Sequence, residues 1–271
     1  MVCFGETPMS RNSIPNPSPG SDALAIISDI HGNLEALVSV LGYIESVGVQ
    51  RIVCLGDIVG YGPNPIECIH LLKHCETRII GDWDAAAISS DDPCWSTFLL
   101  EQLRWVRDEI AGDESIQQIL KSGCVAKLAG DIAFFHAMPR DFSDWIFPED
   151  IFTPQKLDRV VEQSAPLAFC GHNHLAGVHL RTTHDSSTMP WTYKDFLEVG
   201  DGWFSPNGPC ICSVGSVGQP RDSDPRASFV ILRDQQLRFV RVEYDHQLTA
   251  DKIRANPLIR DIHADRLSQG R

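Results

Sequence analysis

The chain has 271 residues, 43% of them hydrophobic and 22% charged, and a net charge of −13. That length can bury a full core. No apolar run reaches the roughly 20 residues of a membrane span, and no charged-then-apolar start marks a secretory signal, so the cytoplasm is the expected compartment. A surface this acidic disfavours nucleic-acid duplexes and membranes as partners and leaves small phosphorylated substrates, for which bound cations can supply local positive charge.

Residues 1–22 are rich in Ser, Pro, Asn and Gly without periodicity and read as a disordered tail, with Met9 an alternative start. Residues 23–245 contain no linker-like stretch and read as one domain, followed by a polar, helical extension over 246–271. The domain opens with an apolar strand at 24–28. A helix follows, capped by Asn33, with Glu35 in its first turn, an apolar stripe from Leu34 to Ile44, and Gly48 as its stop. Residues 51–55 form a second strand. Asn64 and Pro65 start a second helix that reaches about Cys75, and 77–80 form a third strand. Alternation of strands with helices predicts parallel pairing.

The middle is helical over 96–110. Short strands follow at 125–128 and 132–135, then a loop at 139–150, a helix near 154–164 and a strand at 167–170. Further strands are expected at 176–181, 196–199, 210–214, 227–232 and 236–244. The fold class is thus α/β, two sheets packed together and covered by helices. The nine cysteines are odd in number and irregularly spaced, which excludes a disulfide framework. Cys54 and Cys170 read as core residues. So do Cys210 and Cys212, because no second Cys pair completes a zinc set.

The chemistry lies directly behind the apolar strands. Asp29 and His31 follow the first strand, Asp57 the second and Asp82 the third. His136 follows the strand at 132–135, and His172 and His174 follow the one at 167–170. Each Asp or His alone is an ordinary turn former or cap. Together they place seven oxygen and nitrogen donors at carboxyl ends of strands, where α/β sheets bind ligands. Such donors suit a pair of divalent cations, Mn, Fe, Co, Ni or Zn, and such a pair can activate water against phosphorus. Asp57 is the natural bridging carboxylate. Gly56, Gly81 and Gly171 allow sharp turns beside the ions. His70 and His74 have helical metal spacing but no third ligand and read as a solvated face. His179, His184, His246 and His263 have no motif context. Trp95, Trp105, Trp145, Trp191 and Trp203 read as packing residues.

The runs Asp29-Ile30-His31, Gly56-Asp57, Gly81-Asp82-Trp83-Asp84, His136 and Gly171-His172-Asn173-His174 resemble the motifs of calcineurin-like metallophosphoesterases. The stretches 56–63 and 215–222 resemble a subfamily of small bacterial phosphodiesterase-like members. The resemblance covers about residues 23–245. It implies a four-layer αββα sandwich with two metal ions at its rim. One ion would take Asp29, His31, His174 and Asp57; the other would take Asp57, Asp82, His136 and His172. It also sets Asp57, Asp82 and Asp84 among the catalytic residues.

Two departures from the family pattern bear on function. Asp82 stands where the family usually has Asn, adding a negative charge that favours cation binding, or a mixed Fe(III)–M(II) pair, and removing an amide donor. Trp83 stands where many members have His. An indole cannot act as a general acid, so the expected reaction is hydrolysis of a phosphodiester by metal-bound hydroxide rather than of an alkyl monoester. Arg221 and Arg140 are candidate phosphate clamps, against the alternative of ion pairs with Asp141, Asp222 or Asp224. Trp83 is a candidate wall or stacking surface for substrate. The competing functions are a catalytically weak or inactive scaffold for protein interaction, favoured by Asp82 and Trp83, and a phosphomonoesterase or protein phosphatase.

Overall fold

The computed structural model describes residues 23–139, 141, 144–182 and 190–271. The expected tail at 1–22 and His184 lie outside the described residues. Leu24–Ile27 forms strand β1, and every one of its side chains is buried. Ala25 and Ile27 point into one apolar cluster, Leu24 and Ile26 into another. A strand that is apolar on both faces is one buried between layers.

The chain then builds a parallel trio. Helix α1 (Leu34–Ser46) begins where the Asn33 side chain accepts from the Ala36 N–H. Strand β2 (Arg51–Cys54) pairs parallel with β1, and β3 (Thr77–Arg78) pairs parallel with β2. Antiparallel β10 (Ala227–Arg233) and β11 (Gln236–Val242) complete this sheet, in the order β11-β10-β1-β2-β3. The second sheet contains β4 (Ala126–Ala129), β5 (Ile132–Phe135), β6 (Leu167–Cys170), β7 (Ala176–Arg181), β8 (Trp191–Asp195) and β9 (Cys210–Val214). Its order is β4-β5-β6-β9-β7-β8, with β5, β6 and β9 parallel.

Ile26, Val53, Phe134, Phe169, Val178 and Val230 fill the space between the sheets, and Cys210 and Cys212 join that cluster. Helix α1, α2 (Pro65–Leu71), α4 (Thr97–Ala111) and α5 (Glu114–Lys121) cover the outer face of the first sheet. Helix α6 (Pro154–Gln163) covers the second. The result is the expected four-layer αββα sandwich.

Several elements differ from the sequence reading. Helix α2 stops at Leu71, well short of Cys75, because the Arg78 guanidinium takes the Leu72 and Lys73 carbonyls that a longer helix would use. Strand β3 is cut short because Ile79 and Ile80 turn to pair with Cys124. The strand expected at 196–199 is a short helix, α7 (Phe196–Val199), where the Asp195 side chain accepts from the Glu198 N–H; the strand is β8, just upstream. Helix α3 (Asp82–Ile88) and helix α5 are additional to the expectation. Residues 246–271 fold as α8 (His246–Ala255) and α9 (Asp261–Leu267), which pack with Trp105 in a small cluster of their own. Lys252 of α8 pairs with Glu35 of α1.

Asn33 ties three segments together. It caps α1, its Nδ2 donates to the Gly218 carbonyl at 2.8 Å, and the Thr249 hydroxyl lies 3.0 Å from its Oδ1. Asn33→Ala removes the cap and strands a buried carbonyl, at a cost of roughly 2–4 kcal/mol. Urea unfolding should show a lower midpoint at unchanged slope; a loss below about 0.5 kcal/mol would contradict this role.

Candidate metal centre

Strands β1, β2 and β3 end at the same edge of one sheet as β5 and β6 do of the other, so the seven Asp and His side chains meet at a seam. Five of them, Asp29, His31, Asp57, His172 and His174, have positive φ, between 48° and 69°. For a non-glycine residue this region costs about 1–3 kcal/mol and persists only where the surroundings enforce it. Here they do. The His31 N–H donates to Asp57 O, Gly32 N–H to Ile58 O, Gly218 N–H to Asp29 O and Gly171 N–H to His136 O, at 2.8 to 2.9 Å. Pairing between neighbouring segments therefore continues past the strand ends and holds the turns that bring the side chains together.

The donors form two groups, Asp29 with His31 and His174, and Asp57 with Asp82, His136 and His172. In the first, His31 Nε2 and His174 Nε2 are 3.0 Å apart. His31 Nδ1 donates to the Val59 carbonyl at 3.0 Å and His174 Nδ1 to the Gln219 carbonyl at 2.6 Å. A carbonyl only accepts, so each ring proton sits on Nδ1 and each Nε2 presents a lone pair. Asp29 Oδ1 adds a third acceptor, 3.4 Å from His174 Nε2. Burial, and after it the Arg221 charge, hold both imidazoles well below their ordinary range, so protonation does not relieve the crowding.

In the second group, His136 Nδ1 donates to the Leu55 carbonyl at 2.9 Å, which turns Nε2 toward Asp82 Oδ1 (3.3 Å), Asp57 Oδ2 (3.4 Å) and His172 Nδ1 (3.1 Å). Burial opposes a proton on His136, but the Asp57, Asp82 and Asp29 carboxylates together outweigh it and raise the imidazole well above its usual range. That is the mark of a negative field that draws in any cation. Burial, and then the Asp82 charge, push the Asp57 carboxyl well up. Asp57 Oδ2 also lies 3.7 Å from His31 Nε2, so this one oxygen faces both groups. Imidazole nitrogens and carboxylates converging in this way fit divalent cations. The backbone carbonyls behind His31, His136 and His174 orient these rings as the rings of metal-ligating imidazoles are oriented.

Asp84 serves this centre from beneath. Its Oδ1 accepts from the Ile58 and Val59 N–H groups at 2.9 and 3.2 Å and its Oδ2 from Gly81 N–H at 3.3 Å, so it shapes the loop that carries Asp57. Gly56 has φ 102°, as its expected turn requires. At Gly81 and Gly171 the requirement is space: a Cβ would stand 2.1 Å from Asp57 Oδ1 and 1.9 Å from the Ser28 hydroxyl respectively.

The residues expected to touch substrate divide. Trp83 does not line the opening; its side chain is 2% exposed and packs on Tyr61 and Trp95. Arg221 does reach the centre. Its N–H donates to the His174 carbonyl, and its guanidinium lies 5.6 Å from the centre of the Tyr61 ring. Asp222 and Asp224, its alternative partners, pair instead with Arg241 and Arg226 respectively. Arg140 lies outside the described residues. Tyr61 has no expected role, yet its ring sits 4.5 Å from His31 and 4.7 Å from His263. Trp145, read as packing, meets His172 edge-on at 4.1 Å. His70 and His74 are exposed, and Trp191 is fully buried, as expected.

Residues 23–236 match the family model described as the calcineurin-like phosphoesterase superfamily domain. An uncharacterized protein of Methanocaldococcus jannaschii, MJ0912, is 32% identical over 244 residues, spanning 87% of this chain and 93% of its own length. A metallophosphoesterase from Sphaerobacter thermophilus superposes with a TM-score of 0.77 at 29% identity, covering 93% of this chain and 100% of that one. The hypothetical protein PH1004 from Pyrococcus horikoshii OT3 shares the fold, with a TM-score of 0.70 at 18% identity over 92% of this chain and 98% of its own.

His263 offers a pH-dependent check on how α9 is seated beside this centre. Burial, and then the Arg266, Arg221 and Arg260 charges, lower its imidazole from 6.5 to about 4. Between those values the unfolded chain takes up a proton that the folded protein refuses, so stability falls as pH drops from 6.5 toward 4. His263→Phe keeps a ring against Tyr61 and removes that uptake. Urea unfolding should show the wild type losing roughly 1–3 kcal/mol more than the variant between about pH 7 and 4.5. Parallel losses in the two proteins would contradict the burial of a neutral imidazole here.

Proposed function

The chain belongs to the calcineurin-like phosphoesterase superfamily, hydrolases of phosphoester bonds, and from that premise we propose that it cleaves a small phosphodiester at a dinuclear metal centre in the cytoplasm. The observation that carries this reading is the two-sided position of Asp57 Oδ2, 3.7 Å from His31 Nε2 and 3.4 Å from His136 Nε2. One ion would be held by Asp29, His31, His174 and Asp57, the other by Asp57, Asp82, His136 and His172. Two such ions, with Mn the first choice among Mn, Fe, Co, Ni and Zn, would make water nucleophilic at neutral pH and neutralise charge building on the phosphoryl oxygens.

The chain's own residues shape the rest. Asp57 accepts from the Trp83 N–H through Oδ1, which leaves Oδ2 aimed at the seam. Asp29 accepts the His172 N–H on both oxygens and so fixes the His172 loop. Arg221, beside His174, supplies a guanidinium for a non-bridging phosphoryl oxygen. Trp83 brings no titratable group to the opening, so nothing at that position protonates a poor leaving group. Substrates whose leaving group departs readily are therefore favoured over alkyl monoesters. Burial of Trp83 against Tyr61 and Trp95 gives it a packing role, which leaves Asp82 as the feature that favours a scaffold.

The test compares bis(4-nitrophenyl) phosphate with 4-nitrophenyl phosphate, using metal-stripped protein refilled with Mn. The diester should turn over with a kcat/KM roughly tenfold or more above the monoester, and Asp57→Asn should lower it by about 100-fold or more. Preference for the monoester would reverse the assignment. Loss of turnover for both esters with two metals bound would remove the phosphodiesterase reading.

A further inference from the structure

Around the metal centre the arginines are of two kinds. Arg226 and Arg241 are paired with Asp222 and Asp224. Arg221, Arg266 and Arg271 form no ion pair among the described residues. Arg221 donates through Nη2 to the neutral Gln219 side chain at 2.9 Å, and its Nε is buried with no partner among the described residues.

These three arginines line one surface cavity of about 370 Å³, together with Ile262, Asp265 and Gln269. That volume falls in the range of small-ligand sites, about 300–1,000 Å³. Its acidic side chain, Asp265, is taken by Arg254 at 2.7 Å. The three guanidiniums outnumber the one α-carboxylate, that of Arg271, so the cavity holds an excess of positive charge on a chain whose net charge is −13. The structure also holds it in place. Gly270, at φ 62°, packs on Asp224 so closely that a Cβ would stand 2.6 Å from the Asp224 nitrogen, and the Gly270 carbonyl accepts from Ser223 N–H at 2.9 Å. The end of α9 is thereby pinned to the loop that carries Arg221. Arg221 belongs to both places, since its own N–H donates to His174 and its guanidinium lies against Tyr61, the neighbour of His31.

We propose that this cavity is a second anion subsite, in which Arg266 and Arg271, continuous with Arg221, hold a phosphate group remote from the scissile phosphorus. The substrate class is then a phosphoester that carries a second phosphate. The substrate assignment rests on the phosphodiesterase reading above; the anion subsite itself does not. Guanidinium groups match phosphate oxygens with paired donors. On an otherwise repulsive surface, a local positive cavity selects for such a ligand.

Inorganic tripolyphosphate is the probe, titrated by calorimetry into metal-stripped protein so that binding is read apart from any metal or turnover. The wild type should bind one equivalent, more weakly as salt rises. The double variant Arg266→Gln, Arg271→Gln should bind about tenfold or more weakly at an unchanged melting temperature. No binding by the wild type, or equal binding by the variant, would overturn the subsite. With Mn restored, thymidine 5′-(4-nitrophenyl phosphate) is compared with its 3′-phosphorylated form. The second phosphate should raise kcat/KM by about tenfold in the wild type and give no advantage in the variant, with the simple ester unchanged between them. Equal turnover of the two esters by the wild type would overturn the substrate class and leave the phosphodiesterase reading standing. Turnover of neither, with tripolyphosphate bound as expected, would overturn both the phosphodiesterase reading and the substrate class that rests on it, and keep the anion subsite.

Discussion

Two imidazole nitrogens 3.0 Å apart, each with its ring proton turned away to a backbone carbonyl, set the terms for this molecule. Facing lone pairs repel, and burial denies them the proton that would otherwise separate them. Asp29 beside them, and Asp57 and Asp82 across the seam, add carboxylates to a site where buried charge is costly unless it is paired. A cation is the one kind of partner that turns each of these repulsions into attraction. The strained backbone at five donor residues has the same origin, since each left-handed turn holds a donor where its neighbours alone would not keep it.

The sandwich distributes this cost. The first sheet contributes Asp29, His31, Asp57 and Asp82, and the second contributes His136, His172 and His174. Neither sheet holds a complete group, so the packed layer between them, rich in Ile, Val and Phe, is what sets the spacing of the donors. Behind the donors stands a second tier. Asp84 orders the loop after β2, and Asn33 and the 216–219 segment lock the turn after β1. Helices α8 and α9 then close the side of the centre through His263 and Tyr61. Residues 246–271 therefore contribute to the surroundings of the centre, one contact removed from its donors.

The donor set was legible in the sequence because Asp29, His136 and His172 closely follow short apolar strands, and Asp57 and Asp82 follow Gly at the ends of two further strand-like runs. The parallel trio and the helix cap at Asn33 were legible for the same local reasons. What escaped depends on contacts far apart in the chain. Trp83 occupies a motif position, but the pocket formed by Tyr61, Gly60 and Trp95 buries its ring. His263 has no motif around it and comes to Tyr61 only through the docking of α9. Arg78 ends α2 by reaching back to carbonyls several residues upstream, and the sequence pattern there still reads as helix. Strand β8 was misplaced by a few residues because Asp195 can serve equally as a strand end and a helix cap.

The most direct measurement is anomalous diffraction from crystals of the protein loaded with Mn. Two peaks about 3.5–4 Å apart are expected, one among Asp29, His31 and His174 and one among Asp82, His136 and His172, with Asp57 Oδ2 between them. A single peak on one side of Asp57, or none with the seven donors in place, would contradict a dinuclear centre.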